Sequence, residues 1–199
     1  MNEQKNNENS LFKEAVIFLW EIIKVVVISL IIILPIRYYV IQPFYVKGAS
    51  MEPTFYDHEY LIINEISYRF YKPERGDVIV FKYPQNPKEY FIKRVIGLPN
   101  ETISIKNGEI TIYNDENSAG AVLEEDYLLP WQQTVGNLKV NLDQDEYYLL
   151  GDNRLSSLDS RIFGPVEREY IIGKVLFRGW PLNRITIFTA EQSYQLKSN

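Results

Sequence analysis

The chain of 199 residues contains no cysteine and only one histidine, His58. The absence of cysteine excludes disulfide bonds, a thiol nucleophile and a cysteine-ligated metal. A single histidine also excludes the H-E-x-x-H zinc motif, which needs two. We therefore expect no metal and no other cofactor, so a hydrolase built from this chain has few chemistries available.

Basic residues are fewer than acidic ones: the chain has 21 Lys and Arg, 26 Asp and Glu, and a formal net charge of −5. A nucleic-acid partner would require a clustered basic face, and no nucleic-acid-binding motif is present. Aromatic residues are plentiful instead: 15 Tyr and 10 Phe favour an ordered, strand-rich protein. The composition therefore predicts a folded β-rich domain that does not bind nucleic acid.

One long apolar run, residues 15–36, follows a polar start rich in Asn and Glu that we expect to be disordered over residues 1–10. As a helix this run would span about 33 Å, enough to cross a bilayer core of about 30 Å. Its only charged residues, Glu21 and Lys24, are three apart and can pair on one helical face. Because the run ends without an A-x-A-like cleavage site, we interpret it as an uncleaved membrane anchor.

After the apolar run the pattern changes to short stretches with the alternation of β-strands. Strands are predicted at residues 39–46, 60–63, 77–83, 90–96, 147–150 and 172–177. Alternating isoleucines around Asn107-Gly108 predict a hairpin, and residues 114–126 are predicted to form a surface loop. Short strands without a second long helix favour a mostly β barrel or folded sheet.

Ser50 lies in the segment G-A-S-M-E-P-T, residues 48–54. Serine in a Gly- and Pro-containing turn is common in proteins of every kind, and its hydroxyl becomes a nucleophile only if a base removes its proton. His58 is one candidate base, but it lies in a polar turn, where a solvated residue without a catalytic role is the simpler interpretation.

Lys93 is the second candidate base. Strand alternation places it on one face with Phe91 and Val95, and removal of an ammonium group from water lowers its pKa. The neighbouring Arg94 should act in the same direction by repulsion of like charges. A neutral lysine can serve as a general base, but a lysine at a strand end that extends its amine into solvent fits this segment equally well.

The segment at 151–166 follows a predicted strand and is dense in hydrogen-bonding residues. Its G-D-N-R sequence alone indicates a turn. Asp159 and Arg161 are two residues apart and could form an ion pair that braces the loop.

Together these segments resemble the type I signal peptidases, Ser/Lys proteases that remove signal peptides from exported proteins. The resemblance consists of G-A-S-M-E-P-T at 48–54, R-G-D-V-I-V-F-K-Y-P at 75–84, Y-F-I-K-R-V-I-G-L-P at 90–99 and G-D-N-R-x-x-S-x-D-S-R-x-F-G at 151–164. The four motifs occur in the order and spacing of the family behind an apolar helix. Their compact arrangement is similar to the form found in Gram-positive bacteria.

The resemblance implies that Ser50 is the nucleophile, that Lys93 is its base and that Ser157 orients the lysine amine. It also implies a structural ion pair between Asp159 and Arg161, and an oxyanion hole that uses the Ser50 backbone N–H. Some members carry a second oxyanion donor, a serine, at the position of Gly48, so a backbone N–H is the expected substitute there. Substrate-binding residues suggested by the family pattern are Ile41, Pro43, Phe44 and Ile92.

The resemblance further implies a mostly β fold, with an N-terminal transmembrane helix and a β-rich catalytic domain of coiled antiparallel sheets. We expect a cytoplasmic tail at residues 1–14, a membrane helix at 15–37 and an extracytoplasmic domain at 38–199, with 100–146 as a smaller insertion. The expected partners are signal peptides of exported preproteins and the lipid bilayer. Two alternatives are a non-catalytic membrane-tethered paralogue, which the presence of both Ser50 and Lys93 disfavours, and a self-cleaving Ser/Lys protease of the repressor type.

Overall fold

The computed structural model describes residues 2–39, 41–188 and 196–198. The chain divides into two compact units, Met1–Ile41 and Gln42–Asn199. Its α-helices are α1 (Asn2–Tyr39), α2 (Ser67–Phe70) and α3 (Ser160–Phe163). The strands are β1 (Ile41–Tyr45), β2 (Tyr60–Asn64), β3 (Val78–Tyr83), β4 (Asn86–Gly97), β5 (Thr102–Lys106), β6 (Glu109–Tyr113), β7 (Ala121–Leu123), β8 (Leu138–Asn141), β9 (Glu146–Leu150), β10 (Val166–Glu167), β11 (Ile171–Trp180), β12 (Thr186–Ile187) and β13 (Leu196–Ser198).

Helix α1 contains the stretch Lys13–Pro35, which is long and apolar enough to cross a membrane. Glu21 and Lys24 form an ion pair of 3.6 Å on it, as their spacing predicts. The expectation of disorder over residues 1–10 is wrong, since α1 begins at Asn2. Extension of an existing helix requires no new nucleus, so a polar segment of modest propensity can continue the apolar one.

The larger sheet of the second unit contains eight strands in the order β1-β2-β11-β3-β4-β9-β10, with β12 paired to β11. Side chains that alternate between the two faces of β3 contribute to two hydrophobic clusters. Val78 and Val80 contribute to one, while Ile79 and Phe81 contribute to the other. Strand β1 lies at one end of the order, the position that tolerates Pro43, which has no N–H to donate.

The second sheet has five strands in the order β13-β7-β6-β5-β8. Asn107 and Gly108 have φ angles of 55° and 88° between β5 and β6, which confirms the predicted hairpin, because a two-residue turn of this kind requires positive φ at both positions. The expectation of a loop throughout 114–126 is wrong. Strand β7 lies within it and buries Ala121 and Leu123, an alternation too short to be recognised in the sequence.

The described strand pairs are antiparallel, and the mostly β fold class is confirmed. Strands β4 and β11 are longer than predicted, whereas β1 is shorter because α1 continues to Tyr39. Three parts of the larger sheet approach one another: the turn after β1, the middle of β4 and the segment after β9. Hydrogen bonds from Asn153 to Ser50 and from Arg94 to Asp152 join them.

Candidate active site

Ser50 lies in the turn that connects β1 to β2. The Phe55 N–H donates to the Met51 carbonyl over 2.8 Å, and both of these side chains are fully buried in the core. These buried side chains therefore fix the turn against the core, while Ser50 itself is half-buried. Within the described part of the chain, the Ser50 N–H donates no hydrogen bond.

Lys93 lies in β4, 43 residues further along the chain, and its Nζ is 2.8 Å from the Ser50 Oγ. The same Nζ is 2.8 Å from the carbonyl oxygen of Ile92. Only 3% of Lys93 is exposed, so this is an interior lysine and not one that extends into solvent. The tertiary structure thereby decides between the two interpretations that the sequence left open.

Burial lowers the pKa of Lys93 from 10.5 to about 8 because it disfavours the ammonium form. The carboxylates of Asp159 and Asp152 act in the opposite direction and raise the pKa. The expected contribution of Arg94 is therefore wrong. Side chains of consecutive strand residues point to opposite faces, and the Arg94 charge is taken up by an ion pair there.

Asp152 is the partner of Arg94, a role that no local pattern in the sequence indicated. Arg94 Nε and Nη2 donate to its two oxygens over 2.7 and 2.6 Å, and Thr54 Oγ1 donates to Oδ2 over 2.6 Å. Asp152 is completely buried, so the pair forms a desolvated junction between β4, the serine turn and the segment after β9. The G-D-N-R sequence indicated only a turn, since the partner lies 58 residues away.

Asp159 and Arg161 form a two-pronged ion pair in which both hydrogen bonds measure 2.8 Å. Asp159 also caps α3 by accepting from the Arg161 N–H, and it accepts from the Gly151 N–H over 3.2 Å. The pair therefore joins the two ends of the loop that follows β9.

Ser157 lies in this loop against Gly151, whose Cα is in close contact with both Ser157 and Ser50. A Cβ at position 151 would lie 2.1 Å from the Ser157 Oγ and 2.5 Å from the Ser50 carbonyl oxygen. The Ser157 Oγ is buried and has no hydrogen-bond partner among the described residues. Ser157 is thus adjacent to the serine turn without a direct bond to Lys93, and its role as the orienting serine stays a prediction.

Gly48 has a φ of +93°, and its N–H donates to Asp57 Oδ1 over 2.9 Å. That N–H is therefore engaged, and the backbone N–H expected as the second oxyanion donor stays a prediction. His58 lies nearby in the turn with an exposed side chain, and its described ring partners are Tyr45 and Asp57. The structure does not connect His58 to Ser50.

A cavity of about 250 Å³ opens beside Ser50 and Lys93. Phe44 and Ile92 line it, as expected of substrate-binding residues, whereas Pro43 is exposed and does not. The side chain of Ile41 lies outside the described part of the structure. Residues that the sequence did not indicate also line the cavity: Tyr45, Val46, Lys47, Leu61, Val80, Tyr90, Phe91 and Leu158. Among the described residues, no group of three or more His, Asp or Glu side chains is arranged to hold a metal ion.

The family model described as "Signal peptidase, peptidase S26" matches residues 19–180. The chain belongs to this family. It is 41% identical over 185 residues to signal peptidase I of Leptolyngbya laminosa, covering 88% of this chain and 87% of that protein. It is 38% identical to signal peptidase I of Bacillus caldolyticus, covering 79% and 89% of the two chains.

Signal peptidase IB of Staphylococcus aureus is 33% identical and covers 79% of this chain and 87% of its own. A crystal structure of a signal peptidase I from Enterococcus faecalis is 30% identical, with a TM-score of 0.44 over 52% of this chain and 97% of that one. These relatives match over most of their own length and belong to the same signal peptidase family. The chain is therefore a serine protease that removes signal peptides.

Proposed function

We propose that this signal peptidase uses Ser50 as its nucleophile and Lys93 as its general base, and that α1 anchors it in a membrane. The separation of 2.8 Å between Lys93 Nζ and Ser50 Oγ carries the proposal. A lysine with a pKa of about 8 is neutral in a useful fraction of molecules near neutral pH, so its lone pair can accept the hydroxyl proton.

The reaction is an acyl transfer in two halves. Lys93 accepts the proton of Ser50 while the Oγ attacks the scissile carbonyl carbon, and the resulting ammonium returns the proton to the leaving amine as the peptide bond breaks. Water then attacks the acyl-enzyme ester. Lys93 accepts a proton from this water and passes it to the departing Ser50 oxygen, which restores the starting state.

The tetrahedral intermediates carry a negative oxygen that needs hydrogen-bond donors. We assign the first donor to the Ser50 N–H, because that group has no partner among the described residues. Gly48 does not supply a second donor while its N–H is bound to Asp57. Its φ of +93° also disfavours the serine that other members carry there, since side-chain-bearing residues rarely adopt that conformation.

The substrate is proposed to bind in extended form along open strand edges beside the cavity. Strand β1 is an edge of its sheet, and the pairing of β4 with β9 begins only at Arg94. Main-chain bonds to such edges would give affinity. The cavity of about 250 Å³, lined by Phe44, Ile92 and other apolar residues, would limit the side chains at positions −3 and −1 from the cut to small, uncharged ones. The natural partners would be the signal peptides of exported preproteins.

The test of the catalytic pair is preprotein cleavage by the full chain in detergent. Ser50→Ala and Lys93→Ala should each abolish cleavage, whereas the matched surface variants Ser118→Ala and Lys106→Ala, both exposed and outside the larger sheet, should retain it. Mass spectrometry of quenched wild type should find the acyl group on Ser50. The assignment of the base would be overturned if Lys93→Ala retained activity, above all if His58→Ala lost it. A wild-type chain that cleaves no preprotein would favour the non-catalytic alternative.

The anchor and its orientation need a separate experiment. We propose residues 1–14 as a cytoplasmic tail, 15–37 as the membrane helix and 38–199 as the extracytoplasmic catalytic domain, with 100–146 an insertion in it. Because the chain has no cysteine, Asn6→Cys and Ser118→Cys each create a unique thiol. In intact cells, an impermeant maleimide should label Ser118→Cys but not Asn6→Cys. The reverse pattern would refute the orientation, and release of the protein by alkaline carbonate would refute the anchor.

A further inference from the structure

Asn153, in the segment after β9, binds the main chain on both sides of Ser50. Its backbone N–H donates to the Ser50 carbonyl over 3.0 Å, and its side-chain Nδ2 donates to the Ala49 carbonyl over 3.1 Å. Asn153 is 104 residues from Ala49 in the sequence. A single side chain from a distant segment thus holds the peptide group that precedes the proposed nucleophile.

This peptide group contains the proposed oxyanion donor. The Ala49 carbonyl and the Ser50 N–H belong to the same planar unit, and in a trans peptide they point in opposite directions. The cis peptides of the described chain are elsewhere, before Pro53 and Pro181. A bond that holds the Ala49 carbonyl toward Asn153 therefore directs the Ser50 N–H to the other side. It also polarises that N–H, since hydrogen bonds in a chain strengthen one another.

The Ala49 carbonyl has a second donor within the turn itself, the Glu52 N–H at 3.2 Å. That bond is local and moves with the turn, whereas the bond from Asn153 fixes the turn against the rest of the domain. The segment that carries Asn153 is itself anchored, because Gly151 donates to Asp159 and Asp152 is paired with the buried Arg94. The bond from Asn153 therefore joins the serine turn to a segment that is itself held in place.

We propose that Asn153 is a positioning residue that aims the Ser50 N–H at the oxyanion. The inference rests on the proposed function, since it presupposes Ser50 as nucleophile. The described hydrogen bonds of Asn153 to the active site go to the carbonyls of Ala49 and Ser50 and not to Lys93. Its loss should therefore reduce stabilisation of the transition state and leave the base and its pKa in place.

The experiment compares the full-chain variants Asn153→Asp and Asn153→Ala with wild type in peptide cleavage. A carboxylate has nearly the shape of the amide but only accepts hydrogen bonds, so it cannot donate to the Ala49 carbonyl. Because loss of an oxyanion donor itself costs about 10²–10³-fold in kcat, we expect a decrease of about 10- to 100-fold when the donor is only misdirected. KM should change by less than about twofold in both variants. The pH midpoint of the rate should stay unchanged in Asn153→Ala, which adds no carboxylate near Lys93.

A second measurement separates positioning from a merely structural role. A peptide aldehyde forms an adduct with a serine hydroxyl whose oxygen occupies the oxyanion position, whereas an uncleavable peptide binds only as the ground state. Affinity for the aldehyde should fall in proportion to kcat, while affinity for the uncleavable peptide should be retained. Thermal unfolding of each variant is recorded beside Asn141→Asp, a matched change on β8 where the side chain accepts from Thr102.

Unchanged kcat in a folded Asn153→Asp would overturn the inference, as would an equal loss of affinity for both inhibitors. Should Asn153→Asp unfold, Asn153→Ala carries the test, because it introduces no charge and keeps the main-chain bond to Ser50. Cleavage by Ser50→Ala would overturn the proposed function itself. An inactive Ser50→Ala beside a fully active Asn153→Asp would refute only the role of Asn153.

Discussion

The burial of Lys93 leads to a quantitative prediction for the dependence of the rate on pH. With the ordinary pKa of 10.5 only about 0.03% of the amine would be neutral at pH 7, whereas a pKa of about 8 leaves about 10% neutral. The interior position thus increases the active fraction by roughly 300-fold. If neutral Lys93 is the base, kcat/KM should rise about tenfold per pH unit below the midpoint near 8 and level off above it.

The assay is cleavage of a synthetic signal-peptide substrate in detergent from pH 6 to pH 10, with kcat/KM reporting the free enzyme. His58→Gln is the control, because His58 is the only histidine and its removal should leave the midpoint in place. A rate that stays flat across this range would refute a lysine base. So would a midpoint near 6.5 that disappears in His58→Gln, since this is where an ordinary histidine titrates.

Three further predictions concern stability and packing. Lys93→Met should raise the free energy of unfolding at pH 7 by about 1–3 kcal/mol, because the folded chain holds an ammonium group in the interior that the unfolded chain exposes to water. In urea titrations this gain should shrink as the pH rises from 8 to 10.5, because the folded lysine loses its proton first. Arg94→Leu should lower the free energy of unfolding by about 3–5 kcal/mol, since it leaves Asp152 buried and unpaired, and an unchanged melting temperature would contradict the pairing. Gly151→Ala should reduce kcat by about 100-fold, because the added Cβ would displace Ser157 and the Ser50 carbonyl. The control is Gly179→Ala, where the nearest atom to the added Cβ would be 3.3 Å away. Equal activity in the two variants would argue against close packing at Gly151.

Local features of the sequence determined a large part of this protein. The absence of cysteine and the single histidine removed most hydrolase chemistries. The length and high apolar content of residues 15–36 predicted a helix that can span a membrane, and Asn107-Gly108 predicted its hairpin. Each of these conclusions depends on neighbours in the chain, where periodicity and turn preference act directly.

The environment of the candidate site was decided by the tertiary structure. Alternation placed Lys93 on the face of Phe91 and Val95, but only the packed sheet decided that its amine ends in the interior beside Ser50. Arg94 was expected to repel Lys93, yet the fold pairs it with Asp152, and the same fold brings the Gly48 N–H to Asp57. Burial and charge pairing arise from contacts between distant segments, which no local pattern contains.

For the same reason Ser50 resembled an ordinary turn serine in the sequence. The fold distinguishes it by bringing to it an interior lysine, Lys93, and an asparagine from the segment after β9, Asn153, that holds its peptide group.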